Sequence, residues 1–136
     1  MLAHALAMIR AVHPAMPLYA RAIYEAVLLN EGGIGPARSV AGRLGLRNRF
    51  ALARLLKRNG LPPLHRLAGW ATVLTWVLTA ERDDVSLCHI AFRLSRHPSA
   101  CYRLVKEVTG LTWGDVKARG STWVERRFLL EWHRSS

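Results

Sequence analysis

Ala41-Gly42-Arg43-Leu44-Gly45 leads into Arg47-Asn48-Arg49-Phe50-Ala51-Leu52-Ala53-Arg54-Leu55-Leu56-Lys57 and closes at Gly60-Leu61. Fifty residues on, Ala91-Phe92-Arg93-Leu94-Ser95 leads into Pro98-Ser99-Ala100-Cys101-Tyr102-Arg103-Leu104-Val105-Lys106 and closes at Gly110-Leu111. The two stretches share one plan. Each begins with a small Ala, places an apolar residue three later, and then turns. Each continues into a helix with a core residue, an Arg two later (Leu52/Arg54; Cys101/Arg103) and a Lys three after that (Lys57; Lys106). The Ala lets two helices cross closely, and the short turn makes a tight corner between them. The second helix of each pair has an apolar side, Leu52, Leu55 and Leu56 in one and Cys101, Leu104, Val105 and Val108 in the other. Its opposite side carries Arg49, Ala53, Arg54 and Lys57, or Ser99, Tyr102, Arg103 and Lys106. An exposed basic helix side of this shape fits a DNA major groove.

Working outward, every segment has helical periodicity and no stretch alternates long enough for a strand. A first helix is expected over 2–12, ended at His13-Pro14. A second has Pro17 in its first turn and Tyr19, Ala22, Ile23 and Ala26 on its apolar face, and closes at Glu31-Gly32-Gly33. Gly35-Pro36 marks a joint. Short helices follow at 37–44 and 48–58, with Gly60 as a C-cap. Beyond Pro62-Pro63 a long helix is expected over about 64–80. Leu64, Leu67, Ala68, Ala71, Leu74 and Leu78 form its apolar face, flanked by Trp70 and Trp76, and Arg82-Asp83-Asp84 forms a polar turn. Ser86 N-caps a helix through Leu94, and a further helix runs from Pro98 to about Thr109. Thr112 with Asp115, and Thr122 with Glu125, have the form of capping boxes for two last helices, the final one of about ten residues. The expected fold class is all-α: two helix-turn-helix subdomains (37–63 and 83–120) joined by a long linker helix (64–82), with an N-terminal helical extension (1–36) and a C-terminal helix (121–136).

Charge divides the chain at the same joint. Its 136 residues carry a net charge of +11, yet residues 1–36 are neutral, with Arg10 and Arg21 against Glu25 and Glu31. From Arg38 to Arg66 there are eight Arg or Lys and no acid. A solvated helical face mixes signs; a run of one sign calls for an external counter-charge, with nucleic acid the first candidate and an acidic membrane surface the second. The longest uncharged apolar run, Leu67 to Ala80, is too short to span a bilayer. Two cysteines, Cys88 and Cys101, make no disulfide framework and point to a reduced compartment. The stretch after Met1 lacks a basic n-region, so no secretory signal is expected. His4, His13, His65, His89, His97 and His133 form no pairs at metal-ligand spacing, so no metal is expected. No phosphate-binding glycine loop, nucleophile elbow or HExxH stretch is present, and Asp83-Asp84 suits helix capping rather than acid–base work. The expectation is a protein that is not an enzyme and takes no cofactor.

Val85-Ser86-Leu87-Cys88-His89-Ile90-Ala91-Phe92-Arg93-Leu94, followed by Pro98 to Lys106 and Thr109-Gly110-Leu111-Thr112, resembles the second unit of the AraC/XylS family of bacterial transcription regulators. The resemblance covers about residues 37–120. It implies two reading helices in successive major grooves of double-stranded DNA, with base contacts at Arg49, Phe50, Ala53, Arg54, Ser99, Ala100, Tyr102 and Arg103. Arg47, Asn48, Arg96 and His97, at the starts of the reading helices, join that groove set. Arg43, Lys57, Arg58, Lys106 and Thr112 are the expected phosphate contacts. It also implies a cytoplasmic, nucleoid-associated regulator with RNA polymerase or another regulator as a second partner, and no membrane partner. The chain departs from the family pattern at Ser95-Arg96-His97, where the turn is shorter, and at Cys101, where an aromatic is usual. Two other readings stay open: a protein-interaction module docking on an acidic protein, and a non-specific nucleic-acid binder.

Overall fold

The computed structural model describes residues 1–135, with side chains through Trp132. Among these residues it holds nine α-helices and no strand. They are α1 (Ala3–Val12), α2 (Leu18–Leu29), α3 (Ala37–Arg43), α4 (Arg49–Arg58), α5 (Leu64–Asp83), α6 (Leu87–Arg93), α7 (Pro98–Thr109), α8 (Trp113–Arg119) and α9 (Ser121–Ser135). The fold class is all-α, as the periodicity predicts.

The long apolar helix α5 is the axis of the molecule. It buries Leu67, Trp70, Ala71, Val73, Leu74, Trp76, Val77 and Ala80, residues that cover well over half of its circumference, so it is packed from several sides rather than docked on one. It packs against α2, α6, α7 and α9. Aromatic side chains fill the joint with α9: Trp70 stacks on Phe128 with ring centroids 6.4 Å apart, and Tyr24 meets Trp132 edge-on at 5.3 Å. Two glycines allow the closest approaches. A Cβ on Gly69 would stand 2.7 Å from Val108 Cγ2 on α7. Gly32 (φ +87°) closes α2 against α5, where a Cβ would stand 2.1 Å from Thr72 Oγ1 and 2.5 Å from the Ala68 carbonyl oxygen.

Polar side chains fasten the outer helices to this axis. Arg66 donates to Glu131 (2.8 Å) and to the Glu107 and Val108 carbonyls (3.1 and 3.2 Å), which are orphan acceptors at the end of α7. Glu81 accepts from the Ser121 amide (3.3 Å) and hydroxyl (3.1 Å) and so caps α9 from another helix. Glu125 lies 2.7 Å from His4, joining α9 to α1.

Several expected boundaries move. Arg82 and Asp83 are helical rather than part of a turn: α5 ends at Asp83, with Asp84 left-handed at φ 51°. Asp83 holds Arg82 (2.9 Å) and Arg93 of α6 (3.3 Å), which stabilises the added turn. Thr122 and Glu125 do not form a capping box, because Glu81 already satisfies the start of α9 and Glu125 turns to His4. Helix α9 starts earlier, at Ser121, and runs on to Ser135, so it is 15 residues long rather than ten. Pro17 precedes α2 in extended geometry (φ −56°, ψ 151°) instead of opening it. On α2 the buried face is Ala20, Ile23, Tyr24, Val27 and Leu28, whereas Tyr19, Ala22 and Ala26 are exposed. Ser136 lies outside the described residues.

Candidate nucleic-acid interface

The internal repeat folds into two helix pairs with matching turns. In the first, α3 and α4 pack together; in the second, α6 and α7. After α3, the Leu46 amide donates back to the Ala41 carbonyl at 2.9 Å; after α6, the Arg96 amide donates to the Ala91 carbonyl at the same distance. Both corners turn on a left-handed residue, Gly45 (φ 71°) and Ser95 (φ 54°). Ala41 and Ala91 are fully buried beneath them. A polar cap opens each following helix: Asn48 accepts from the Ala51 amide at 2.9 Å, and His97 Nδ1 accepts from the Ser99 amide at 3.2 Å.

These corners set which side of α4 and α7 faces outward. Leu52 and Leu56 are buried and Leu55 half-buried; Arg47, Asn48, Arg49, Phe50, Ala53, Arg54, Lys57 and Arg58 are exposed. On α7, Cys101, Val105 and Val108 are buried and Leu104 half-buried; Ser99, Ala100, Tyr102, Arg103 and Lys106 are exposed. Burial raises the Cys101 thiol pKa, so this residue is an inert core side chain. The tyrosine hydroxyl of Tyr102 lies 3.6 Å from Cys88 Sγ, and that hydrogen bond pushes its pKa up.

The cations of the first pair, Arg38, Arg43, Arg47, Arg49, Arg54, Lys57 and Arg58, make no ion pair among the described residues. Neither do Arg103 and Lys106 of the second. Within the second pair Arg93 of α6 does pair, with Asp83; the other ion pairs are made by Arg10, Arg21, Arg66, Arg82 and His4. The basic side of α4 therefore carries no acid, and on α7 the exposed Glu107, one turn from Arg103, makes no ion pair with Arg103 or Lys106.

Other expected contacts are engaged by the fold itself. Arg43 donates to the Ile34 carbonyl at 2.6 Å, tying α3 to the chain before it. Thr112 caps α8, accepting from the Asp115 amide and donating to its carboxylate at 3.0 Å. The Ser99 hydroxyl lies 2.7 Å from His97 Nδ1, and the Arg96 guanidinium lies 5.8 Å from the Trp76 ring centre. The Arg49 guanidinium sits over the Phe50 ring at 4.9 Å.

A groove opens beside α4. Arg49, Phe50, Ala53 and Lys57 form one wall of an open groove of about 740 Å³, whose other wall is Leu61, Pro63, Leu64, His65 and Ala68. The groove separates α4 from the start of α5. Its only advance signal is the apolar Leu61-Pro62-Pro63-Leu64 stretch, where two prolines fix the entry to α5. Phe92, 82% exposed, is a second surface aromatic that the repeat pattern does not explain. Trp123 is half-buried, with Arg119 and Arg127 within 5.0 and 5.8 Å of its ring centre.

Among the described residues no three His, Cys, Asp or Glu side chains come together as a metal site, and no helix is long and apolar enough to cross a membrane. The side chain of His133 lies outside the described residues. No family model, curated protein or solved structure matches the chain.

Proposed function

We propose that this protein binds double-stranded DNA and regulates transcription, with α4 and α7 as reading helices of two helix-turn-helix units joined by α5. The observation that carries the reading is that two helix pairs of one build present, on the outward sides of α4 and α7, Arg and Lys that make no ion pair among the described residues. A polyanion supplies that missing counter-charge. Arg54 and Arg103, at matching positions, are suited to base edges; Lys57, Arg58 and Lys106 to phosphate. The resemblance to AraC/XylS regulators in the second unit points the same way.

The test is selection of a binding site from random duplex, followed by salt titration. Three or four phosphate contacts give a slope of log affinity on log salt of about −3 to −4. Arg54→Ala and Arg103→Ala each cost about 1–3 kcal/mol on the selected site and much less on random duplex. Equal losses on both duplexes would remove base reading and leave non-specific packaging. A second reading has its own support: the groove beside α4, with Arg49, Lys57 and His65 on its walls and no acid among its lining residues, suits an acidic protein segment. Absence of any duplex shift at low salt would favour that reading.

A further inference from the structure

We infer that α2 joins two copies of this chain in an antiparallel, two-fold contact. Helix α2 is apolar on two sides. One side is in the core. The other is a surface stripe of Tyr19, Ala22, Ala26 and Leu29, with Leu18 beside it; Tyr19, Leu29 and Leu18 are 57%, 71% and 80% exposed. Spacings of three, four and three residues keep the stripe on one line of the helix. An amphipathic surface helix has polar residues here, and α2 does not.

The stripe is self-complementary. Its order is large, small, small, large, symmetric about position 24. A two-fold axis at that point sets Tyr19 against the partner's Leu29 and Ala22 against the partner's Ala26. The paired alanines let the helix axes approach closely. Such an isologous contact closes at two copies. There is also a receptor for the large side chains. Ala22 and Ala26 flank a groove of about 220 Å³ lined by Ile34, Val40 and Leu44. Arg43 at its edge is turned onto the Ile34 carbonyl.

Charge selects the same face. The chain carries +11, none of it net within residues 1–36. Arg10 and Arg21 both pair with Glu25, at 2.9 and 3.3 Å, and Glu31 supplies the second negative charge of the segment. Two copies meeting through α4 or α7 bring uncompensated cations together; meeting through α2 they do not. An acidic partner finds no net positive charge here, whereas a second copy offers the matching order of large and small apolar side chains. The contact is independent of DNA reading.

Sedimentation equilibrium of the full chain from about 1 μM to about 1 mM reads the association directly. Dimer is expected to form within that range and to persist at high salt, because apolar burial is not screened. Ala26→Glu and Leu29→Glu replace exposed residues, so helicity is retained, while dimerisation weakens at least about tenfold. In a Cys88→Ser background, Ala22→Cys mixed with Ala26→Cys cross-links more than either alone. A wild-type chain monomeric throughout, or a dimer equally stable in both Glu variants, overturns the inference. Should Ala26→Glu lose helicity, Leu29→Glu decides, since its side chain projects from the last turn.

Discussion

Gly45 and Ser95 occupy the same corner of the repeat, and both are left-handed. Glycine takes that conformation freely; serine has a Cβ crowding the carbonyl, at roughly 1–2 kcal/mol. Ser95→Gly should therefore stabilise the protein by about 1 kcal/mol, less what glycine adds to the unfolded chain's entropy. Gly45→Ala should destabilise it by about 1–2 kcal/mol. Urea midpoints at constant slope read both changes. Side chains around the corners were harder to read. Asn48 and His97 were expected in a DNA groove, and both accept an amide of their own helix. Composition cannot separate a cap from a ligand contact there, because the same acceptor at the same helix start serves either purpose.

Helix α5 shows what a sequence discloses about an element and what it withholds. Its existence and its apolar character were plain from an uncharged 14-residue run between a proline pair and charged residues, whereas Trp70 and Trp76, expected only to flank the apolar face, are both buried. The spans of α4 and α7 were legible for the same reason: apolar residues recur every three or four positions and breakers stand at the ends. The ends of α5 and α9 were not. Glu81 caps a helix that begins 40 residues later, and Asp83 holds Arg93 ten residues on. Partners at such separations leave no local pattern. Gly69 is a similar case: nothing around it marks a helix crossing, yet a Cβ would meet Val108 at 2.7 Å. Gly69→Ala is expected to destabilise by about 1–3 kcal/mol through overpacking. Val108→Ala alone costs about 0.5–2 kcal/mol for the lost methyls, and the double variant costs less than the sum. A double-mutant cycle in urea measures the difference; strict additivity would mean that the helices simply slide apart.

At the scale of the molecule, electrostatics divides a neutral end from a basic body. Glu25 is the centre of the neutral end. A hydrogen bond from Arg10, helped by Arg21, holds its carboxyl below the ordinary value of 4.5 despite partial burial. A lowered folded pKa means that the stabilisation is present above the unfolded value and is lost as pH falls through the folded one. Stability should accordingly decline below about pH 4.5, and Glu25→Gln should flatten that decline while lowering stability near neutrality. Urea midpoints between about pH 2 and 7 check both signs. The paired charges also hold α1 to α2, because Arg10 belongs to one helix and Glu25 to the other.

The two helix pairs are mounted differently on α5. The second is drawn in at Gly69 and tied through Arg66; the first stands across a 740 Å³ groove. From this mounting the second pair is expected to be the stiffer of the two. Amide protons in α4 should accordingly trade with deuterium through small local openings, while those in α7 wait for a larger rupture. If the pairs bind a duplex as proposed, the stiffer one would fix the phase on a curved or irregular stretch and the other would follow the surface it meets.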